Sequence, residues 1–243
     1  MAELQTWWQG LPPVTKWFFG VSVSTTLLTH IGVFDPYRLI LVLEPIYQEF
    51  QIWRLFSPFV LHFLGLPFLM SMMFLLRFGQ NLEKGKFAGR SSDYLWMLLV
   101  CAALLLVPGF LLKIPVLSNS LIMCIIYNWA RANPDQNATF MFGLQFKAKY
   151  LPWVMVAFTT LLGGNPLAEI MGIVSGHVYF LLSDLVPRDY GYNLIKTPRF
   201  IADLFPNEAP APFQPGQPHA PPADAGPRGP RYAWGTGNRL GGH

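Results

Sequence analysis

Long apolar runs, separated by short charged segments, make up most of the first 187 residues of the chain. Four of the runs contain no Asp, Glu, Lys or Arg, and they cover residues 17–34, 55–76, 94–112 and 114–130. A helix of about 17–25 residues crosses the hydrocarbon core of a bilayer, so each run is long enough to span it. The pattern therefore predicts four transmembrane helices before residue 131.

The next apolar run, residues 150–183, is interrupted by a single charge, Glu169, and by a strong turn signal at residues 163–166. The turn divides the run into a short fifth span near residues 150–162 and a sixth span near residues 166–186. A re-entrant loop in place of these two spans is the alternative that the pattern leaves open. The predicted membrane domain, residues 1–187, is thus an all-α polytopic domain with six transmembrane helices.

The chain after residue 187 is polar and divides into three parts. Residues 188–205 form a cytosolic juxtamembrane segment, in which Thr197 is the predicted N-cap of a short amphipathic helix and Pro198 lies in its first turn. The apolar face of this helix suits either the membrane surface or packing against the domain. Residues 206–231 are rich in Pro, Ala and Gly, which predicts a disordered linker. Residues 232–243 form a separate terminal motif.

The amino-acid composition excludes a soluble globular domain. Apolar residues make up 52% of the chain and charged residues 12%, whereas soluble domains carry about 25% charged residues. The two cysteines, Cys101 and Cys124, both lie in apolar runs, so no disulfide framework is expected. The basic residues suit an anionic lipid surface at least as well as nucleic acid, and no nucleic-acid partner is expected.

The distribution of Lys and Arg between alternate loops predicts the orientation. With six spans, 14 of the 17 Lys and Arg fall on the side that holds both termini, and only Arg38, Arg54 and Lys113 fall on the other side. The positive-inside rule therefore places both termini in the cytosol. On this topology the glycosylation sequon at Asn137, between spans four and five, is cytosolic.

The chain lacks the residue patterns that catalysis, metal binding or phosphate binding require. Span four contains Ser118, Asn119 and Ser120 but no Gly-x-Ser-Gly motif, which a rhomboid-type serine protease would need. Successive helix positions point about 100° apart, so the closeness of Ser175 and His177 in sequence is no evidence for a catalytic dyad. His177 is instead predicted to pair with another span. The histidines have no metal-ligand spacing, so no metal or cofactor is expected.

Local features nevertheless resemble the rhomboid superfamily of membrane proteins. Trp53 and Arg54 stand at the end of a long first loop, and Gly172 and Gly176 form a small-xxx-small pair in span six, which allows close helix approach. Active rhomboids carry a catalytic histidine one turn before this glycine pair, and the matching position here is Glu169. With the serine motif also absent, the chain resembles the Derlins, the rhomboid pseudoproteases of the endoplasmic reticulum.

Longer strings extend the resemblance to the Derlin family over nearly the whole chain. They are FQIWR at residues 50–54, GKFAGR at 85–90, FGLQFKA at 142–148, YLPWV at 150–154 and WGTGNRLG at 234–241. The resemblance implies a non-catalytic role in the endoplasmic-reticulum membrane, in the degradation pathway that exports misfolded proteins to the cytosol. It implies three partners: misfolded client proteins, a ubiquitin-ligase complex and a hexameric AAA ATPase of the valosin-containing-protein type.

The resemblance also implies roles for particular residues. Trp53, Arg54, Gly172 and Gly176 are family-motif residues, and the sequence does not separate a functional role from a role in the fold. The terminal string is similar to the SHP box, through which Derlins bind the N-terminal domain of the ATPase. The residues implied in that contact are Trp234, Gly235, Gly237, Arg239, Leu240 and Gly241.

The short fifth span suggests a physical mechanism for protein export. A span of about 13 residues covers roughly 20 Å, against a hydrocarbon core of roughly 30 Å, which favours a locally thinned bilayer. A candidate polar cavity beside it comprises residues of spans four and six: Ser118, Asn119, Ser120, Asn128 and His177. The alternative is that these side chains form hydrogen bonds between helices.

Two functions from other classes compete with protein export. A rhomboid serine protease would require a paired serine and histidine, and a small-solute transporter would carry internal repeats and charged residues at the bilayer midplane. Glu169 and His177 are the only residues in the spans that suit the second function. The sequence leaves open the client proteins and whether the chain acts alone, as a homo-oligomer or as a hetero-oligomer.

Overall fold

The computed structural model describes residues 2–139, 144–161, 165–191 and 195–205, all of which belong to one compact unit that ends at residue 209. Helices make up most of this part of the chain. They are α1 (Ala2–Gln9), α2 (Pro13–His30), α3 (Pro36–Leu39), α4 (Leu43–Gln48), α5 (Leu66–Phe74), α6 (Gln80–Lys84), α7 (Ser91–Leu111), α8 (Ser118–Ala132), α9 (Leu151–Leu161), α10 (Leu167–Phe180), α11 (Val186–Tyr190) and α12 (Arg199–Leu204).

Two of the long helices contain a π-helical turn. Leu75–Gly79 joins α5 to α6, and Leu181–Leu185 joins α10 to α11, without a break in either helix. Short 3₁₀ turns occur at Ile52–Leu55, Ser57–Phe59 and Ala148–Tyr150. The residues that the structure describes therefore form six longer helical segments: α2, α5–α6, α7, α8, α9 and α10–α11.

The predicted all-α class needs one correction, because a two-stranded antiparallel hairpin lies between α8 and α9. Its strands are β1 (Asn137–Thr139) and β2 (Gln145–Lys147), and Ala138 stands opposite Phe146 in the register. A hydrogen bond links the hairpin to the rest of the fold: Nη1 of Arg77 donates to the carbonyl oxygen of Thr139 at 2.7 Å. A strand of three residues is too short to leave a period-2 pattern in the sequence.

The second predicted span, residues 55–76, is displaced in the structure. The helix begins at Leu66, after Gly65 with a positive φ of 154° that glycine adopts without strain, and with Pro67 in the first turn, and it continues through Arg77 to Lys84. The residues before it form 3₁₀ turns and irregular chain, in which Phe59, Leu61 and His62 are buried but Phe63 and Leu64 are exposed. Arg77 is accommodated inside the helix because its long side chain carries the charge away to the hairpin.

Two helices among the described residues, Ser91–Leu111 and Leu167–Tyr190, are long and apolar enough to cross a bilayer. They correspond to the third and sixth predicted spans. Of the predicted turn between spans five and six, the described part is Asn165 and Pro166, where Asn165 Oδ1 accepts a hydrogen bond from the Leu167 N–H at 3.0 Å. The number of spans stays a prediction.

Helix α8 forms the centre of the fold. Eleven of its 15 residues are buried, whereas an ordinary surface helix buries only one face. It packs against α5, α7, α9 and α10, and the contact with α10 is the most extensive. Residues of α7, including Tyr94, Met97 and Leu105, complete the core on one side.

Polar contacts bring the Lys- and Arg-rich ends of the helices together at one end of the bundle. The carboxylate of Glu83, at the end of α6, accepts hydrogen bonds at the start of α2, from the backbone N–H groups of Val14 and Thr15. Lys86, before α7, forms a 2.5 Å ion pair with Asp184 at the end of α10. Residues on the side of the predicted topology that holds both termini therefore share one end of the bundle. We call it the basic end.

The juxtamembrane segment is held at the basic end by a contact that the sequence did not indicate. Thr197 was predicted to cap a short helix, but its Oγ1 donates to Asp93 Oδ1 of α7 at 2.6 Å, and Pro198 occupies the N-cap position of α12. Ile201 is buried against the bundle, whereas Phe200 is exposed. The helix thus packs on the domain through one side chain and presents another outward.

Candidate functional site

A cavity of about 280 Å³ lies between α5, α8, α9 and α10. Most of its wall is apolar, formed by Leu66, Pro67, Met70, Phe74, Ile122, Met123, Ile126, Met155 and Phe158. Four polar side chains, one from each helix, also line it: Ser71, Asn119, Thr159 and Glu169. Asn119 and Glu169 lie in the first turns of their helices, so the cavity is at the end of the bundle opposite the basic end.

The polar side chains of the cavity are paired across helices. Ser71 Oγ donates to Asn119 Oδ1 at 3.0 Å, which joins α5 to α8. Thr159 Oγ1 donates to Glu169 Oε1 at 3.0 Å, which joins α9 to α10. The second carboxyl oxygen, Glu169 Oε2, is buried and has no hydrogen-bond partner among the described residues. The cavity therefore presents one unused acceptor in apolar surroundings.

The predicted composition of the cavity needs a correction. Of the five polar residues predicted to form it, only Asn119 lines the cavity in the structure. Ser118, Ser120 and Asn128 are buried within the helix packing, and Asn128 Nδ2 bonds back to the Cys124 carbonyl oxygen at 2.9 Å. They point elsewhere because successive residues of a helix differ in direction by about 100°. The alternative, hydrogen bonding between helices, describes Asn119, which accepts from Ser71 of α5, and not Asn128, whose bond stays within α8.

His177 lies apart from the cavity and contacts a different helix face. Its Nδ1 is 2.7 Å from the hydroxyl of Tyr127 on α8, and the two rings meet edge to face. This is the pairing with another helix that the sequence predicted. The cavity residues that sequence reasoning missed, Ser71 and Thr159, are single polar side chains in apolar runs. No local pattern distinguishes them, whereas Glu169 was identifiable as the one acid in its run.

Arg54 of the Trp-Arg pair is buried and holds the long first loop together. Its Nε donates to Gln51 Oε1 at 2.6 Å, and its Nη1 donates to the carbonyl oxygens of Tyr37 at 2.9 Å and Ile40 at 3.1 Å. Trp53 is half exposed, and its indole N–H donates to the Arg38 carbonyl oxygen at 3.3 Å. Both residues of the pair therefore tie the end of the loop back to α3.

The glycine pair of α10 lies against α8 at very short range. A Cβ atom added at Gly172 would overlap the carbonyl oxygen of Ser120 and would stand 2.6 Å from the Cβ of Met123. A Cβ atom at Gly176 would meet the ring of Tyr127 at 3.1 Å. The close approach of α8 and α10 thus depends on Gly172 above all.

Known proteins are similar to this chain over most of its length. A family model described as the Der1-like family matches residues 11–199. The chain is 34% identical to Derlin-1 of Mus musculus and to Derlin-1 of Homo sapiens, over 99% of each chain. It is also 34% identical to Derlin-2.1 of Zea mays, over 84% of this chain and 87% of that one.

The chain belongs to the Derlin family. It is therefore a membrane protein with a Derlin-family role, in the general field of endoplasmic-reticulum-associated degradation. The matched region ends at residue 199, so the family model includes every helix of this Derlin from α2 to α11.

In the described part of this Derlin, the serine and histidine side chains considered for hydrolysis are buried or paired. Nδ1 of His177 lies 2.7 Å from the hydroxyl of Tyr127, Ser118 and Ser120 are buried, and the carbonyl oxygen of Ser120 faces Gly172 of α10. The nearest carboxyl to the cavity, Glu169, accepts a hydrogen bond from a threonine rather than from a serine. The ATPase-binding residues predicted in the tail, from Trp234 to Gly241, lie outside the described residues.

Proposed function

We propose that this Derlin is a non-catalytic factor of endoplasmic-reticulum-associated degradation. It assists the retrotranslocation of misfolded proteins to the cytosol, beside an endoplasmic-reticulum ubiquitin-ligase complex, and it recruits a hexameric AAA ATPase of the valosin-containing-protein type through its tail. The observation that carries the proposal is the cavity, where Glu169 occupies the position at which rhomboid hydrolysis would require a histidine base. The Glu169 carboxyl group is paired with Thr159, and the serine of the cavity, Ser71, donates its hydrogen bond to the Asn119 amide rather than to a base.

The proposed topology places the six long helical segments across the endoplasmic-reticulum membrane, with both termini in the cytosol. The basic end of the bundle then faces the cytosol, as the positive-inside rule requires. The opposite end carries a loop with many exposed apolar side chains, including Tyr37, Phe50 and Phe56. Such a surface is suited to the lumenal leaflet of the bilayer rather than to water.

The short helices beside the cavity support a thinned bilayer as the means of lowering the barrier to export. The fifth predicted span has about 13 residues, from 150 to 162, or roughly 20 Å of helix, whereas α10–α11 has 24 residues, or roughly 36 Å. The hydrocarbon core is roughly 30 Å thick, and thinning of the lipid beside the fifth span relieves this mismatch. A client segment at this face meets a shorter hydrocarbon path and finds polar side chains in the cavity.

Hydrogen-bonding groups in the cavity reduce the cost of holding a polar client segment in the membrane. An unsatisfied backbone group in hydrocarbon costs several kcal/mol. The side chains of Asn119, Thr159 and Glu169 supply donors and acceptors at the edge of the thinned region. The ATPase, bound to the tail, then pulls the segment into the cytosol.

Degradation of a model client in cells that lack their own Derlin tests the proposal. Expression of this chain should restore degradation, and so should a variant with Ser118→Ala, Ser120→Ala and Ser175→Ala. If the triple variant is folded but inactive in degradation, the non-catalytic reading is wrong. Labelling of the purified chain by an activity-based serine probe would contradict it in the same way.

A further inference from the structure

Glu169 carries an acceptor that the rest of the described chain does not use. Its Oε1 accepts from Thr159, its Oε2 is buried without a partner, and Glu169 takes part in none of the ion pairs among the described residues. A buried polar group without a partner is destabilising, and more so if it is charged. The group is therefore poised for a donor from outside the chain.

The walls around Glu169 select the kind of donor. Apolar side chains of three other helices line the cavity, including Met70, Met123 and Phe158, so a water-soluble ion would lose its hydration on entry. A transmembrane helix, in contrast, brings apolar surface that fits these walls. Methionine side chains adapt to partners of different shape, which suits a site that receives varied sequences.

The location of the cavity limits where the donor lies along such a helix. Glu169 is the third residue of α10, which is roughly 3 Å from the start of that helix. The cavity is on the opposite end from Glu83 and Lys86, which is the lumenal end in the proposed topology. A matching donor therefore lies within the first two turns at the lumenal end of a client helix.

We propose that the cavity receives the lysine or arginine side chain that a client transmembrane helix carries near its lumenal end, and that Glu169 binds the cation. The proposal rests on the proposed function and defines its client class. Charged residues in membrane helices normally pair with a partner helix, so a subunit that has not assembled exposes an unpaired charge. The carboxyl group of Glu169 is complementary to such a charge, and Thr159 holds its other oxygen in place.

The test uses the full chain in phosphatidylcholine vesicles with single-span peptides that carry a photoreactive residue. One peptide has a lysine four residues from its lumenal end, and the matched peptide has leucine there. We expect about tenfold more crosslinking of the lysine peptide to the wild-type chain, because the Glu169 carboxylate forms a charge-assisted hydrogen bond with the ammonium group and none with leucine. The preference should vanish in Glu169→Gln and remain in Glu44→Gln, a matched change at an exposed acid on α4.

Exchanging the charges of the two partners separates the effect of the ion pair from any effect on folding. Glu169→Lys should prefer a peptide with glutamate at the same position over the lysine peptide. A lysine preference that persists in folded Glu169→Gln would overturn the proposal. So would crosslinking that appears only in vesicles without choline headgroups, since a lipid cation would then be the occupant.

Cells that lack their own Derlin separate this inference from the proposed function. If the proposed function fails, expression of the chain accelerates degradation of neither the lysine nor the leucine client. If only the client preference fails, both clients are degraded faster, and Glu169→Gln changes neither rate. If both hold, Glu169→Gln slows the lysine client and leaves the leucine client unchanged.

Discussion

The carboxylate of Glu83 accepts two hydrogen bonds from Thr15, one from its backbone N–H at 2.9 Å and one from its hydroxyl at 2.7 Å. Its other oxygen accepts from the backbone N–H of Val14 at 3.0 Å. The pair joins residues 68 positions apart and supplies α2 with the cap that Pro12, at its N-cap position, does not provide. A negative charge at a helix N-terminus is also favoured by the helix dipole.

Replacement of Glu83 by glutamine should lower the free energy of unfolding by about 1–3 kcal/mol, because the site is buried and the charge-assisted bonds are lost. Thermal unfolding of the purified chain in detergent measures the change. Glu3→Gln, at an exposed acid on α1, is the control and should have little effect. Equal effects of the two changes would mean that the cap contributes nothing to stability.

Gly172→Ala should destabilise the fold by about 1–3 kcal/mol, because the added methyl group meets backbone of α8 that cannot rotate away. Gly176→Ala should be nearly neutral, since the Tyr127 ring can yield and alanine improves helix propensity by about 0.5–1 kcal/mol. Fluorescence-detected size exclusion after heating compares the two variants, with Val174→Ala as an exposed control. Similar losses at both glycines would argue against this difference in packing.

Arg54→Lys should destabilise the first loop, because a lysine ammonium cannot reproduce the fork that binds Gln51, Tyr37 and Ile40. The expected loss is about 1.5–3 kcal/mol. Trp53→Phe should cost less than about 1 kcal/mol, since it removes one long hydrogen bond at a half-exposed side chain. Limited proteolysis of the loop, beside thermal unfolding, distinguishes the variants, and a stable Arg54→Lys protein would show that the clamp is dispensable.

Asn137 should remain unglycosylated in cells, although it is exposed in β1 and so accessible to an enzyme on its own side of the membrane. The proposed topology puts this hairpin in the cytosol, away from the lumenal transferase. Electrophoretic mobility before and after glycosidase treatment provides the measurement. A shift that disappears in Asn137→Gln would reverse the orientation of the whole domain.

Trp234→Ala combined with Leu240→Ala should abolish recruitment of the ATPase and leave membrane insertion and folding intact. Nine of the 25 residues from 206 to 230 are proline, from which we predict an extended tether before the motif. A pull-down of the ATPase with both forms, and titration of a tail peptide onto its N-terminal domain, check the result. Equal binding by the two forms would exclude the motif from the mechanism.

The lengths of the apolar runs predicted the long helices near 17–34, 94–112 and 114–130 well, because an uncharged run of that length suits a helix that crosses a bilayer. They misplaced the second helix, since the apolar residues before Leu66 form 3₁₀ turns and irregular chain and Arg77 lies inside the helix. An apolar run marks burial, and burial is common to spanning helices and to loops packed against a core. The boundary was set instead by Gly65 and Pro67.

The candidate site, like the fold, was predicted from the sequence only in part. The sequence by itself determined the membrane character, the segregation of basic residues, the isolated acid Glu169 and the motifs that mark the Derlin family, because composition and local spacing are properties of the chain. Only the tertiary structure decided that Ser71, Asn119, Thr159 and Glu169 meet around one cavity, since they come from four helices and are up to 98 positions apart. Long-range packing chooses which face of each helix turns inward, and no local pattern records that choice.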